Sequence, residues 1–273
     1  MNRITLSAAV LPLFAGVALA GTTLVNDASV SLQEAAAAQP EAAGEAVAAP
    51  AEERGWLDGW TGGVELGLNG SAGNTDRVNF RAGANAKRTS EKYETSGRLA
   101  YSFANDNDGK SENKFIAELR NDWLIKDSKW RVFAKGFYEY DDFQDWNQRL
   151  GLFAGVGYEF VKNDRTTLIG RIGAGVTKEI GGEENDLIPE GLLGLDLDHK
   201  INARQKLTAT VEYYPSFQAV SDFRVLARAA WEILLDEETN LSLKIGAEDR
   251  YDSEPGDAEY NDFDYYALIV WSF

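Results

Sequence analysis

The stretch Phe263-Asp-Tyr-Tyr-Ala-Leu-Ile-Val-Trp-Ser-Phe273 decides the fold class. Side chains of a β-strand alternate between faces with a period of two. Phe263, Tyr265, Ala267, Ile269, Trp271 and Phe273 therefore share one face, and Asp264, Tyr266, Leu268, Val270 and Ser272 share the other. The first face is apolar with aromatics at both ends, the pattern of a strand that crosses a bilayer inside a β-barrel.

The pattern recurs upstream. Alternating segments fall near 62–72, 77–88, 93–104, 113–125, 129–141, 147–160, 165–179, 189–200, 205–217, 222–235, 240–252 and 263–273. That predicts an all-β protein: a transmembrane antiparallel up-and-down barrel of about twelve strands. The connections alternate in length. Those at 89–92, 126–128, 161–164, 201–204 and 236–239 are short. Those at 105–112, 142–146, 180–188 and 253–262 are longer, and two on the same side, 73–76 and 218–221, are shorter. Outer-membrane barrels pair short periplasmic turns with longer external loops, so both ends of the barrel are expected on the periplasmic side.

The faces of single strands fix the register. In the tenth segment Phe223, Val225, Ala227, Ala229, Trp231, Ile233 and Leu235 oppose Arg224, Arg228 and Glu232. In the fifth, Trp130, Val132, Ala134, Gly136, Tyr138 and Tyr140 oppose Arg131, Lys135 and Glu139. An Arg or Lys facing lipid at the midplane costs roughly 2–4 kcal/mol, so the charges are expected inside. A slip of one residue would turn all of them outward. Trp123, Trp130, Trp231 and Trp271 map to one rim, and Tyr101, Phe103, Tyr138, Tyr140, Tyr251, Phe263 and Tyr265 to the other, as two girdles.

Composition is compatible with this reading. The 273 residues carry a formal charge of −17 and an isoelectric point near 4.5, which argues against nucleic acid as a partner. Mean hydropathy is −0.34, a value a barrel reaches because half of each strand faces a polar lumen. No cysteine is present. Residues 1–20 read as a secretory signal peptide, with a basic start, an apolar run and Ala18-Leu-Ala20 as an expected cleavage site near Ala20. Residues 21–60 read as a flexible periplasmic tail rich in Ala, Glu and Pro, and 61–273 as the barrel.

The barrel region resembles the family of salt-induced outer-membrane proteins, whose shared region is a domain of unknown function. The resemblance rests on Ser71-Ala-Gly-Asn-Thr-Asp76, residues 149–159, Tyr214-Pro215, Ser221-Asp-Phe-Arg224 and Tyr251-Asp-Ser-Glu-Pro255. It implies a barrel in the cell outer membrane and no established reaction. The final strand also resembles the assembly signature of outer-membrane barrels. By that resemblance Trp271 and Phe273 would address the barrel-assembly machinery.

The expected lumen holds Arg81, Lys87, Arg98, Arg120, Arg131, Lys135, Arg149, Arg171, Arg224, Arg228, Lys244 and Arg250. It also holds Glu65, Glu94, Glu118, Asp122, Glu139, Glu159, Glu190, Asp196, Asp198, Glu212, Glu232, Glu248 and Asp264. Such near balance admits two readings. One is a narrow charged pore of the diffusion-channel or porin kind, serving envelope adaptation to salt or osmotic stress. The other is a non-conducting structural barrel braced by ion pairs, which steadies the outer leaflet through acidic loops. Asp106, Asp108, Asp252, Glu254, Asp257 and Glu259 in those loops are candidate divalent-cation ligands that would bridge to lipopolysaccharide phosphates. Solvation alone is the simpler account of them. No enzyme is expected: His199 is the one histidine and maps to the lipid side of the periplasmic end. No cofactor is expected either, since no helix follows the glycine runs 151–157 and 170–175; those glycines read as strand positions beside bulky neighbours. Membrane lipid is the expected surrounding partner, and the oligomeric state stays open.

Overall fold

The computed structural model describes residues 59–71, 77–106, 109–182, 185, 187–219, 221–256 and 258–273. The expected signal peptide and all but the last residues of the expected tail lie outside them, as do Asp108, Asp257 and the side chain of Asp106.

Twelve strands form: β1 (Trp60–Ser71), β2 (Arg77–Thr89), β3 (Tyr93–Asp106), β4 (Gly109–Leu124), β5 (Trp130–Asp141), β6 (Gln148–Lys162), β7 (Thr166–Ile180), β8 (Leu187–Asn202), β9 (Gln205–Pro215), β10 (Phe223–Asp236), β11 (Leu241–Asp252) and β12 (Asn261–Ser272). Each pairs antiparallel with its sequence neighbours, and β12 returns to β1, so the sheet closes into a barrel. Closure removes the free edges that would otherwise expose unpaired backbone groups. The closing seam is short. Gly63 to Leu66 pair with Ser272 to Ile269, and Gly62 and Phe273 exchange backbone hydrogen bonds of 3.2 and 2.9 Å.

The register agrees with the charges-inside expectation. Leu66, Leu119, Leu152, Ile172, Leu193, Ile245 and Ile269 stand exposed on the outer wall. Trp123, Trp130, Trp231 and Trp271 are exposed near the rim with short turns, and Phe263 and Tyr265 near the rim with longer loops. Water would not tolerate a continuous apolar wall of this extent; hydrocarbon does. Every strand has 11 or more residues, enough for a tilted strand to cross a bilayer.

Two expected loops shrink. The segment 105–112 is mostly strand, since Asn105 pairs with Lys110 and Asp106 with Gly109 after a register shift at Ala104. Gly109 closes this tight connection at φ 115°, a backbone state that glycine adopts without strain. Asn, Asp, Lys and Glu had the look of a loop there, yet beyond the bilayer both strand faces are wet and polar residues are tolerated. Likewise Leu187 and Ile188 extend β8 and pair with Lys178 and Thr177 of β7.

The buried interior inverts the usual rule for a core. Arg131, Asp122 and Glu248 are as deeply buried as Phe133 and Leu192. All five project from inward positions of their strands.

Candidate functional site

The lumen is the candidate site, and alternation along the strands supplies all of its side chains. Charged pairs span it from wall to wall. Glu248 on β11 meets Arg98 on β3 at 2.8 Å, Arg81 on β2 at 3.8 Å, and Arg250 two residues along its own strand. Arg98 also lies 3.6 Å from Glu118 on β4, and Glu118 accepts a 2.7 Å hydrogen bond from Arg228 on β10. Lys135 on β5 donates to Glu212 on β9 at 2.5 Å and to the Tyr214 hydroxyl at 2.9 Å. Nearer the short-turn rim, Asp122 takes Arg171 at 3.1 Å, and Asp196 takes Arg120 at 3.1 Å together with Arg171. Arg131 pairs with Glu159. Glu65 meets Lys244 at 2.7 Å. Glu232 sits opposite Lys244 across β10 and β11.

Toward the long-loop rim, Arg224 binds Glu190 at 2.7 Å, and Thr177 donates to the same carboxylate. Arg149 reaches Glu179 at 2.7 Å and Asp252 at 3.0 Å, with its guanidinium 4.1 Å above the Trp146 ring. Asp252 therefore closes a lumen ion pair at the end of β11, and its other oxygen accepts the Glu254 amide at 3.1 Å. Glu139 and Glu259 line a small hollow with Arg250. Among the described residues no three acidic or histidine side chains converge on a metal-sized site. Beyond β5, Asp142 accepts a 2.7 Å bond from the Asn113 amide, and further bonds from Lys110 and the Tyr140 hydroxyl. These donors, the Asn113 amide first, lower its pKa to about 2.

One half of the lumen carries a second filling, which the sequence reading missed. Phe133, Phe137, Phe153, Leu192 and Tyr214 form a buried cluster against β5, β6, β8 and β9. Phe137 and Phe153 stack at 6.0 Å, and the Tyr214 ring meets Phe153 edge-on at 5.2 Å. The glycine runs make room for them. A Cβ on Gly151 would lie 2.2 Å from the Phe137 ring, and one on Gly173 would lie 2.9 Å from Phe133. The signal was present as inward-facing phenylalanines aligned with inward-facing glycines on adjacent strands. Lys114 and Asp141 were also missed as lumen groups. Lys114 is buried and lies 3.4 Å from Asp264 and 3.7 Å from Asp141, with Asp262 also in contact.

Among the described residues, three hollows share walls along the lumen. A mouth of about 630 Å³ lies among Trp146, Arg149, Glu179, Asp252 and Glu254. Below it a hollow of about 50 Å³ shares Trp146, Arg149 and Asp252 with the mouth. A third, of about 110 Å³, shares Glu118 and Lys135 with the second. The two inner hollows have room for a few waters.

The sequence profile of one family, described as protein of unknown function DUF481, matches residues 64–273, the barrel from β1 to the last residue. The chain belongs to the DUF481 family. No characterised relative matches it in sequence. Among solved structures, it is similar to the KdgM porin, with 9% identity, 78% of this chain and 99% of that one covered, and a TM-score of 0.42. It is also similar to the NanC porin, with 8% identity, 78% and 97% coverage, and a TM-score of 0.44. A third is the translocator domain of the autotransporter NalP from Neisseria meningitidis, with 12% identity, 78% and 88% coverage, and a TM-score of 0.38.

Proposed function

We propose that this DUF481 barrel is a narrow porin-like conduit of the cell outer membrane, passing water and small ions and excluding sugar-sized solutes. The observation that carries the reading is the series of hollows with shared walls, about 630 Å³ at the mouth, narrowing to about 50 Å³ and opening again to about 110 Å³ within. Their walls bear charges of both signs, which replace lost hydration for an ion in transit. The short-turn rim, where β1 begins and β12 ends, faces the periplasm, and the long-loop rim faces outward. Acidic groups at the mouth then concentrate cations from the medium. The resemblance to salt-induced proteins supports a role in envelope adaptation to salt, and a deletion strain that grows normally through an osmotic shift would count against that role. Trp271 and Phe273, exposed on β12, fit a signal for the assembly machinery.

A second reading has its own support. Glu248, Asp122 and Arg131 are almost wholly enclosed by their partners, as in a closed brace. The experiment is conductance of the folded barrel in planar bilayers, alongside swelling of vesicles in salt and in a monosaccharide. Salt conductance without sugar entry supports the conduit. Silence from protein that shifts its gel mobility on boiling supports the brace.

A further inference from the structure

Charge is not spread evenly along the lumen. The connections 105–112, 142–146, 180–188 and 253–262 at the long-loop rim carry twelve Asp or Glu against one Lys. The hollow at that mouth is walled by Asp145, Glu179, Asp252 and Glu254 with one cation, Arg149. In the hollow nearest the short-turn rim the balance reverses: Arg98, Arg120, Lys135 and Arg228 outnumber Glu118, Asp196 and Glu212.

The trend continues to the short-turn rim. Alternation in step with the inward groups Arg81, Arg131, Arg171, Asp196 and Glu212 puts Lys87, Lys129, Arg165, Lys200 and Lys206 on the lumen face there. Lys162, paired with Thr167, joins them. Carboxylates take three of these: Glu94 meets Lys87 at 3.0 Å, Glu159 meets Lys162 at 2.8 Å and Asp198 meets Lys206 at 3.0 Å. Lys129, Arg165 and Lys200 are exposed and make no ion pair among the described residues. Lys200 stands directly opposite Lys206, and its amide donates to the Arg165 carbonyl at 2.7 Å. Three cations therefore share one cross-strand row. Like charges so placed destabilise a sheet, so a brace alone gives no reason for them. The β10–β11 turn is the acidic exception at this rim, and there Arg204 meets Glu237 at 2.9 Å while Asp236 accepts from the Thr239 hydroxyl at 2.6 Å. At the opposite mouth the groups left without an ion pair have the other sign. Glu139 and Glu259 line the second hollow and Glu254 the first.

We propose that the lumen is bipolar and that its polarity makes the conduit rectify, passing more current when the long-loop side is positive. The proposal rests on the conduit reading above and names its regulation. Carboxylates at one mouth enrich cations, and Lys and Arg at the other enrich anions. With the long-loop side positive, each ion enters through the mouth that attracts it, and carriers accumulate between the two. With the voltage reversed, each must enter through the mouth that repels it, and the space between is depleted.

The test is single-channel recording of the full barrel in planar bilayers, with folding verified by the gel shift on boiling. Gln144→Cys, beside the second hollow in this cysteine-free chain, reports orientation, because an impermeant thiol reagent should lower its current only from the long-loop side. In about 0.1 M potassium chloride, currents at equal and opposite voltages should differ by about twofold, and the difference should fade at about 1 M, where screening shortens to about 3 Å. The triple variant Lys129→Gln, Arg165→Gln, Lys200→Gln should bring the ratio close to one while the channel still conducts. So should Glu139→Gln, Glu254→Gln, Glu259→Gln at the other mouth. Equal currents from the wild type in low salt, rectification of the opposite sense, or a ratio that both triple variants leave intact overturns the proposal and leaves the conduit standing. Silence from folded barrel overturns the conduit reading and this proposal together.

Discussion

The two halves of the lumen are filled differently. Against β5 to β9, aromatic rings take the space and the charges beside them are paired at short range, as in Lys135 with Glu212 and Tyr214. Against β10, β11 and β2 to β4, long side chains span the space around Glu248; buried guanidinium donors without a hydrogen-bond acceptor occur on both sides, at Arg98 Nη1 and Arg250 Nε here and at Arg131 Nε and Nη1 on β5. Opposing glycines are what differ. Where Gly151 and Gly173 leave room, phenylalanines pack into one buried cluster. Across from them, guanidiniums reach for carboxylates, Arg98, Arg81 and Arg250 all meeting Glu248. One half is filled by a plug of rings, and the other is a charged wall, the side along which the proposed conduit would run.

The comparison breaks first at Glu248. Glu248→Ala would remove the carboxylate that Arg81, Arg98 and Arg250 share and leave them only their longer contacts to Asp264, Glu118 and Asp262, and loss of one partner from such a buried set costs roughly 3–5 kcal/mol. The urea midpoint of the barrel folded in vesicles should fall accordingly. An unchanged midpoint would mean that these arginines are held by water rather than by the carboxylate.

On the plug side, Phe153→Ala should cost about 3 kcal/mol, the low end for a buried phenylalanine, because water can enter the space it leaves. The same variant should widen the conduit and raise single-channel conductance. Loss of stability with no rise in conductance would place the conducting path away from the plug.

A rim pair gives the contrast. Arg204 and Glu237 lie 2.9 Å apart with both side chains well exposed, and exposed pairs contribute about 0–1 kcal/mol. Arg204→Ala should leave the urea midpoint almost unmoved. A drop like that of Glu248→Ala would deny the lumen its special place.

The smallest effect is a pH dependence at the long-loop rim. Asp142 has a pKa lowered to about 2, below the ordinary carboxylate value near 4. Its stabilising contribution is therefore complete above about pH 4 and lost as the pH falls through about 2. Proteolytic nicking of 142–147 should rise in that window, and Asp142→Asn should remove the step.

Period-two alternation made most of this legible in the sequence. Arg or Lys on the lipid face is costly enough that the inward register of Arg131, Lys135, Arg224 and Arg228 could hardly be misread. The plug was not legible on the same ground. Phe133 and Phe153 are apolar on the inward face, so a polarity rule passes over them, and their partners are glycines that carry no side-chain signal. Partners across the lumen were equally hidden, since Arg98 and Glu248 are 150 residues apart and no local pattern links them. The extent of β3 and β4 past Ala104 was obscured because polar residues beyond the bilayer look alike in strand and loop.

Single-channel recording in planar bilayers, paired with vesicle swelling in salt and in a monosaccharide, tests the central claim most directly. The account predicts a small, reproducible salt conductance and no sugar entry from the wild-type barrel. Free passage of the sugar, or complete silence from demonstrably folded protein, would contradict it.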